Sequence, residues 1–394
     1  MKKSRLKKAT YNVIILAIYQ LTIFICNLIL PRVILQAYGS EYNGMVSSIT
    51  QLLNFISILR IGVAGATRVE LYKSLAKDDT AQTSAIINSS EKFMRKIAIA
   101  FIVYLIVLAV FYPMVIENSF AWIDVFLLAI AIGIGIFAQY FFGITYSTLL
   151  QADQKLYIYN IIQIFGTIAN TIISVILIKL NFSIQFVKFA SAIVFTVTPI
   201  ILNWYVVKTY RIDKKVKPDD TALKNRGDVV GHSIANIVHE NTDVTVLTLF
   251  TDIKVVSVYT VYNLIIVGLK QIMNIFITGL ESVFGDMWVK NEKQKIVTYL
   301  NLYEYLIGCF VSIVFSCAIL LVIPFVKLYT SNVTDINYIM PVYAIIILIA
   351  QIMYSIRMPY LTLIHAAGKY KETRNGAFIE AIINIVVSII CVFK

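Results

Sequence analysis

Charged residues are scarce in this sequence. Asp, Glu, Lys and Arg together supply 14% of the 394 residues, whereas 59% are hydrophobic and the mean hydropathy is +0.79. Soluble globular domains contain roughly 25% charged residues. The composition therefore excludes an ordinary soluble domain and indicates a membrane protein.

Cysteine and histidine are also few, which excludes several kinds of site. The four cysteines lie in apolar stretches, with no CxxC spacing and no disulfide framework. Only three histidines are present, and the segment that begins His239-Glu240 lacks the second His of the HExxH motif of zinc proteases. The sequence therefore contains no recognisable metal-cofactor motif.

Long apolar runs, in contrast, are abundant. Each is near or above the roughly 20 residues that a helix needs to cross a hydrocarbon core of about 30 Å. The eleven runs cover residues 11–37, 45–66, 93–116, 123–150, 156–178, 182–207, 229–250, 255–280, 297–325, 339–364 and 376–393. They are continuously apolar and do not alternate with period two, so they predict an all-α polytopic membrane protein and not a β-barrel.

The net charge of +12 is distributed in a way that argues against nucleic-acid binding. If the N-terminus is placed in the cytoplasm and the spans alternate, 25 of the 34 Lys and Arg residues lie at cytoplasmic ends and loops, against three in the outer loops. The positive-inside rule favours this orientation. We therefore expect a multi-pass protein of the cytoplasmic membrane with a cytoplasmic N-terminus, a basic face toward anionic membrane lipids and no nucleic-acid partner.

The sequence also contains an internal repeat. Residues 146–180 reappear without a gap as residues 360–394, a displacement of 214 positions, and the matched pairs include Tyr146 with Tyr360 and Asn170 with Asn384. Membrane-embedded repeats are typical of secondary transporters, whose substrate path lies at the interface between the halves. The repeat therefore favours transport over catalysis.

The repeat predicts two lobes. Residues 1–207 form an N-terminal lobe of six helices, residues 208–228 a basic cytoplasmic linker, and residues 229–394 a C-terminal lobe of five helices. We expect the linker, and the polar stretch 67–92, to be solvated cytoplasmic segments, and we assign no chemistry to the linker. Because nothing in the second lobe matches the helix at 182–207, either the sequence is a fragment or the second lobe is natively incomplete, and we favour a fragment.

Two segments resemble the opening of Wzx-like polysaccharide flippases. One runs from Arg32 through Tyr38-Gly39 to Gly44, and the other is the Gly-rich end of the second span at residues 60–68, Arg-Ile-Gly-Val-Ala-Gly-Ala-Thr-Arg. The family belongs to the multidrug/oligosaccharidyl-lipid/polysaccharide (MOP) flippase superfamily, and the resemblance covers essentially the whole chain. Gln36-Ala37 departs from the Leu-Gly usual before the turn, which leaves the geometry of that turn open.

The resemblance implies a V-shaped pair of helix bundles that alternates between inward-open and outward-open forms around a central cavity. The family moves polyprenyl-diphosphate-linked sugars from the cytoplasmic to the outer leaflet. It also has an important arginine in helix one, where Arg32 lies in this sequence.

Basic residues within the spans are the candidate ligands for such an anionic cargo. Arg60 and Lys270 each lie 15 residues into their predicted helices, so both are roughly 22 Å from the outer start of the helix. Arg357 and Arg32 are further candidates. Arginine and lysine suit a diphosphate, because one donates paired hydrogen bonds and the other acts as a point charge. The alternative is that these side chains snorkel to the headgroups.

A second candidate site is acidic. Glu240 and Asp243 lie on one stripe of the most polar span, and Glu380 and Asn384 share a face of the last span. Oxygen ligands suit a hard cation or a proton, and the resemblance implies such a site in this lobe of lipid II flippases and extruders. We expect coupling to Na⁺ or H⁺ and no other cofactor. Mutual hydrogen bonding of these polar groups inside the bundle is the alternative.

The sequence therefore predicts a non-enzymatic flippase for a lipid-linked oligosaccharide in surface polysaccharide biosynthesis, with a polysaccharide polymerase and glycosyltransferases as possible partners. A multidrug or cation extruder of the same fold is the first alternative, although the central cations favour an anionic cargo. A membrane polymerase or glycosyltransferase is the second alternative, and the short outer loops and the repeat argue against it.

Overall fold

A computed structural model describes residues 2–57, 67–68, 70–72, 74–75, 77, 79–116, 120–219, 241–367 and 370–392. Within these ranges the chain is helical, and eight helices are long and apolar enough to cross a membrane. An all-α polytopic architecture is thereby confirmed. The division into six and five spans stays a prediction, because parts of the spans 45–66 and 229–250 fall outside the described residues.

The helices follow the predicted apolar runs closely. We number them α1 to α10: Lys2–Asn54, Thr80–Val115, Trp122–Ala138, Ile144–Ala152, Leu156–Lys179, Ile184–Tyr210, Ile253–Val289, Lys293–Tyr329, Pro341–Ala366 and Tyr370–Val392. A 3₁₀ turn at Phe55–Ser57 follows α1, a π-helical turn at Gln139–Gly143 joins α3 to α4, and residues 241–250 are also helical.

The break between the first two predicted spans is a single glycine. Gly39 has φ 83° and ψ −179°, a conformation that is essentially restricted to glycine. The residues after it run back along α2, because Ser48 contacts Tyr112 and the Leu52 carbonyl accepts a hydrogen bond of 2.8 Å from Tyr104. The turn within the Tyr-Gly motif therefore needs no loop, and Gln36-Ala37 remains helical.

The prediction of a loop across residues 67–92 was wrong for its second part. α2 begins at Thr80, where the Asp79 carboxylate accepts a hydrogen bond of 2.8 Å from the Gln82 amide. An aspartate at this position satisfies an amide that has no partner within the helix. Residues 83–90 are buried, so the second part of this polar stretch forms the first turns of α2, which are capped by Asp79 and packed against other residues.

The structure forms two compact units, residues 1–256 with 381–394 and residues 257–380. These units differ from the predicted lobes at 1–207 and 229–394, and the lobe assignment stays a prediction. In the first unit α1 packs on α5, α5 on α6, α6 on α3, and α3 on α2. In the second unit α8 packs on α9.

The first unit places its helices in the directions that alternating spans require. At one end the Tyr157 amide donates to the Asn12 side chain at 2.8 Å, and at the other end the Tyr38 hydroxyl donates to the Phe182 carbonyl at 2.6 Å. The first part of α1 and helix α5 therefore start at the same end. Which end is cytoplasmic stays a prediction.

Along α5, polar residues face inward and large apolar residues face outward. Along α5 the residues Asn160, Gln163, Asn170, Thr171 and Ser174 are buried. Phe165, Ile168, Ile172, Ile173 and Ile176 on the same helix are exposed. A helix whose apolar side is exposed and whose polar side is buried is suited to a hydrocarbon environment and not to water.

Gly44 provides a test of the packing at the Gly39 turn. A Cβ at position 44 would collide with the backbone carbonyl of Ile253, whereas a Cβ at Gly308 would meet nothing within 4 Å. We expect Gly44→Ala to lower the stability by about 1 to 3 kcal/mol, because backbone atoms cannot yield as a side chain can. Gly308→Ala should leave it unchanged or raise it slightly. Thermal unfolding of both variants in detergent measures this, and equal unfolding temperatures would contradict the packing.

Candidate functional site

Two of the predicted cationic residues meet on one tyrosine in the second unit. The Lys270 ammonium lies 5.4 Å from the centre of the Tyr354 ring, and the Arg357 guanidinium carbon lies 5.8 Å from the same centre. Lys270 comes from the middle of α7, and Tyr354 and Arg357 lie three residues apart on α9. Side chains at this spacing share a helix face, so α9 presents a ring and a cation together toward α7.

Glu380 joins this group through Arg357. One guanidinium nitrogen, Nη1, donates to both carboxylate oxygens of Glu380, at 3.2 Å and 3.1 Å. The two side chains are 46% and 45% exposed, so the pair is not enclosed by the rest of the described protein. Exposed pairs contribute about 0 to 1 kcal/mol in water.

Charge in this cluster is therefore predominantly positive. Lys270, Arg357 and Glu380 carry two positive charges and one negative charge, and Lys270 makes no ion pair with any described residue. The Tyr354 ring holds the two cations by cation–π attraction, worth about 0.5 to 1 kcal/mol for each at an exposed site. The arrangement can bind a compact anion with two donors from different helices.

The remaining predicted residues belong to the first unit or lie outside the described residues. Arg32 is half-buried in α1 of the first unit, and Asp243 is half-buried in the helical segment 241–250. Arg60 and Glu240 lie outside the described residues. Convergence of Glu240, Asp243, Glu380 and Asn384 stays a prediction, although the carboxylate of Glu380 pairs with Arg357. No group of three metal-ligating side chains occurs in the described part of the chain.

Asn384 nevertheless has a structural counterpart in the first repeat. Its Oδ1 atom is buried without a hydrogen-bond partner among the described residues, and the Oδ1 of Asn170, displaced by 214 positions, is in the same state. Burying an amide oxygen without a partner costs free energy of about 1 to 3 kcal/mol. The two copies of the repeat therefore each bury an amide oxygen that can accept a hydrogen bond, at matching positions of α5 and α10.

Sequence reasoning missed two features of α9. Tyr354, which contacts both cations, was hidden among 24 tyrosines, although its spacing of three from Arg357 could have singled it out. Gln351 is 4% exposed and its Nε2 has no partner within the described residues. It precedes Tyr354 by three residues, so α9 carries a polar row at the level of the cation cluster.

Comparisons with known proteins give similarity in structure only. No protein-family model matches the sequence, and no curated protein matches it. Similarity to known proteins therefore comes from solved structures.

Three of the similar structures are transporters. An inward-facing multidrug resistance MATE family transporter of the MOP superfamily has a TM-score of 0.64 at 14% identity, covering 95% of this chain and 98% of that chain. A MOP superfamily transporter from Pyrococcus furiosus has a TM-score of 0.62 at 14% identity, covering 98% and 96%. A point mutant of the Vibrio cholerae MATE transporter VcmN has a TM-score of 0.60 at 14% identity, covering 99% and 96%. This chain therefore has the fold of these transporters.

Proposed function

We propose that the protein is a flippase that moves a polyprenyl-diphosphate-linked oligosaccharide across the cytoplasmic membrane for surface polysaccharide biosynthesis. The observation that carries this proposal is the pair of cations on Tyr354. A diphosphate has at least two negative charges, and Lys270 and Arg357 offer donors from two helices beside one ring. The polyprenyl chain would remain in the lipid.

Glu380 has a definite role in this proposal. In the absence of cargo its carboxylate engages Arg357, which keeps a basic side chain paired within an apolar helix bundle. A diphosphate oxygen accepts from the same guanidinium group, so the cargo displaces Glu380. A proton or Na⁺ that binds the released carboxylate would compensate its charge, which links cargo binding to coupling-ion binding.

A multidrug extruder of the same fold is the alternative, and the similar MATE structures favour it as a class. An organic cation would need an available carboxylate. Within this cluster the carboxylate is already paired and the remaining charge is positive. The Pyrococcus furiosus transporter has a binding pocket of reverse polarity, which suggests a different function for that protein. This fold therefore accommodates binding pockets of different polarity.

The partners in this proposal follow from the chemistry of the cargo. Glycosyltransferases supply the lipid-linked oligosaccharide, and a polysaccharide polymerase consumes it after transfer. Anionic membrane lipids would contact the basic ends of the helices.

The cargo assignment is tested by removing the cations. We expect Lys270→Ala and Arg357→Ala each to lower the rate of flipping of a fluorescent polyprenyl-diphosphate sugar in proteoliposomes by about tenfold or more, because each loses a charge-assisted hydrogen bond to the diphosphate. Accessibility of the label to a membrane-impermeant reductant measures the rate.

Lys327→Ala is the matched control, because Lys327 is an exposed lysine in the last turn of α8, away from Tyr354. Its rate should equal that of the unchanged protein. Export of an organic cation by the unchanged protein, with no flipping of the diphosphate lipid, would support the extruder and contradict the flippase.

Glu380 gives a prediction of the opposite sign. Glu380→Gln removes the charge that competes for Arg357, so the affinity for a short-chain polyprenyl diphosphate should rise about two- to fivefold, as expected from an exposed ion pair of about 0.5 to 1 kcal/mol. Titration of the purified protein by calorimetry measures it. Asp252→Asn, a carboxylate at the start of α7 and outside the cluster, should leave the affinity unchanged. Weaker binding by Glu380→Gln would contradict the competition.

A further inference from the structure

The segment between the predicted lobes is bound to the first unit through a lysine. Lys214 donates hydrogen bonds to Glu91 of α2 and to the hydroxyl of Tyr146 of α4, each at 2.5 Å, and its ammonium lies 5.3 Å from the centre of the Tyr146 ring. The Tyr146 hydroxyl itself donates to Glu91. This part of the linker is therefore fixed to the first unit by specific contacts, while Asp213, Lys214 and Lys215 are exposed. The expectation of a solvated connector stays a prediction.

Asn88 secures the backbone of the same segment. Its amide nitrogen donates to the carbonyl oxygens of Asp213 at 3.0 Å and Val216 at 2.8 Å. Asn88 and Glu91 lie three residues apart on one face of α2, so the helix contacts both the backbone and the lysine of this segment. Residues 213–216 form a turn, in which the Val216 amide donates to the Asp213 carbonyl at 3.4 Å. Asn88, Glu91 and Tyr146 together form a docking site, and residues 213–216 occupy it.

The same three residue types recur in the second repeat. Asn301 and Glu304 on α8 follow Asn88 and Glu91 by 213 positions, with the same spacing of three. Tyr360 on α9 follows Tyr146 by 214 positions. The Tyr360 hydroxyl neighbours the Glu304 side chain, as the Tyr146 hydroxyl neighbours Glu91 in the first repeat.

The two copies differ in how far their tyrosine and asparagine side chains are exposed. Tyr146 is 2% exposed beneath the linker, whereas Tyr360 is 49% exposed. Asn88 is buried and Asn301 is exposed. No ion pair joins Glu304 to a basic side chain anywhere in the described ranges. Among the described residues, no segment covers the second copy of the three docking residues as residues 213–216 cover the first.

We propose that Asn301, Glu304 and Tyr360 form a docking site for a polypeptide turn that carries a lysine, of the kind that residues 213–216 supply to the first repeat. The lysine ammonium donates to Glu304 and to the Tyr360 hydroxyl, and Asn301 donates to backbone carbonyls of the segment. The carboxylate selects a cation, and the asparagine selects a turn with two accepting carbonyl oxygens over an isolated ion.

A synthetic peptide of residues 208–219 tests this site on the full chain in detergent, independently of transport. The linker sequence contains Lys214 and the carbonyls that Asn88 binds, so it is the probe most closely matched to the site. We expect fluorescence anisotropy to detect binding, and Glu304→Gln to weaken it about tenfold or more. A zero-length carbodiimide should cross-link peptide Lys214 to Glu304.

Two controls keep the test decisive. Glu292→Gln changes another carboxylate near the start of α8, one that pairs with Lys295, and binding should not change. A peptide with Lys214→Ala should lose binding to the unchanged protein, which requires no folding of a variant. Equal affinity of the peptide for the Glu304→Gln and unchanged proteins, or cross-links that do not include Glu304, would overturn the proposal.

Discussion

The cost of placing polar and charged groups in hydrocarbon governs this structure. No water is available there to satisfy backbone or side-chain groups, so spans must be helical and polar side chains must face one another. α5 follows this rule along its length, with amides and hydroxyls buried and large apolar residues exposed. Arg357 follows it by pairing with Glu380, and Lys270 follows it by lying against the Tyr354 ring.

The internal repeat places unusual polar groups at matching positions of its two copies. Asn170 and Asn384 each bury an amide oxygen without a partner among the described residues, and Tyr146 and Tyr360 each neighbour a glutamate. Because the same groups recur at the same displacement, they are features of the repeated unit and not accidents of one helix. Among the described residues the two copies differ in exposure, since Tyr146 is 2% exposed and Tyr360 is 49% exposed.

The sequence predicted the helices better than the contacts. Long apolar runs and their spacing follow directly from the thickness of the hydrocarbon core, and the helix bounds agree with the predicted runs to within a few residues at many of the ends. The start of α2 was missed because its first turns are polar and buried against protein, a state that hydropathy cannot distinguish from a solvated loop. The pairing of Arg357 with Glu380 was missed because side chains on different helices meet through tertiary packing, which spacing along one helix does not encode.

The central claim is that the Lys270–Tyr354–Arg357 cluster recognises an anionic headgroup. The most direct measurement is equilibrium binding of three ligands to the purified protein: a polyprenyl diphosphate, the neutral polyprenol of the same chain length, and a lipophilic organic cation. The account predicts that the diphosphate binds at least about tenfold more tightly than the polyprenol, because only the headgroup differs. Equal affinity for the diphosphate and the polyprenol, or tighter binding of the organic cation, would contradict it.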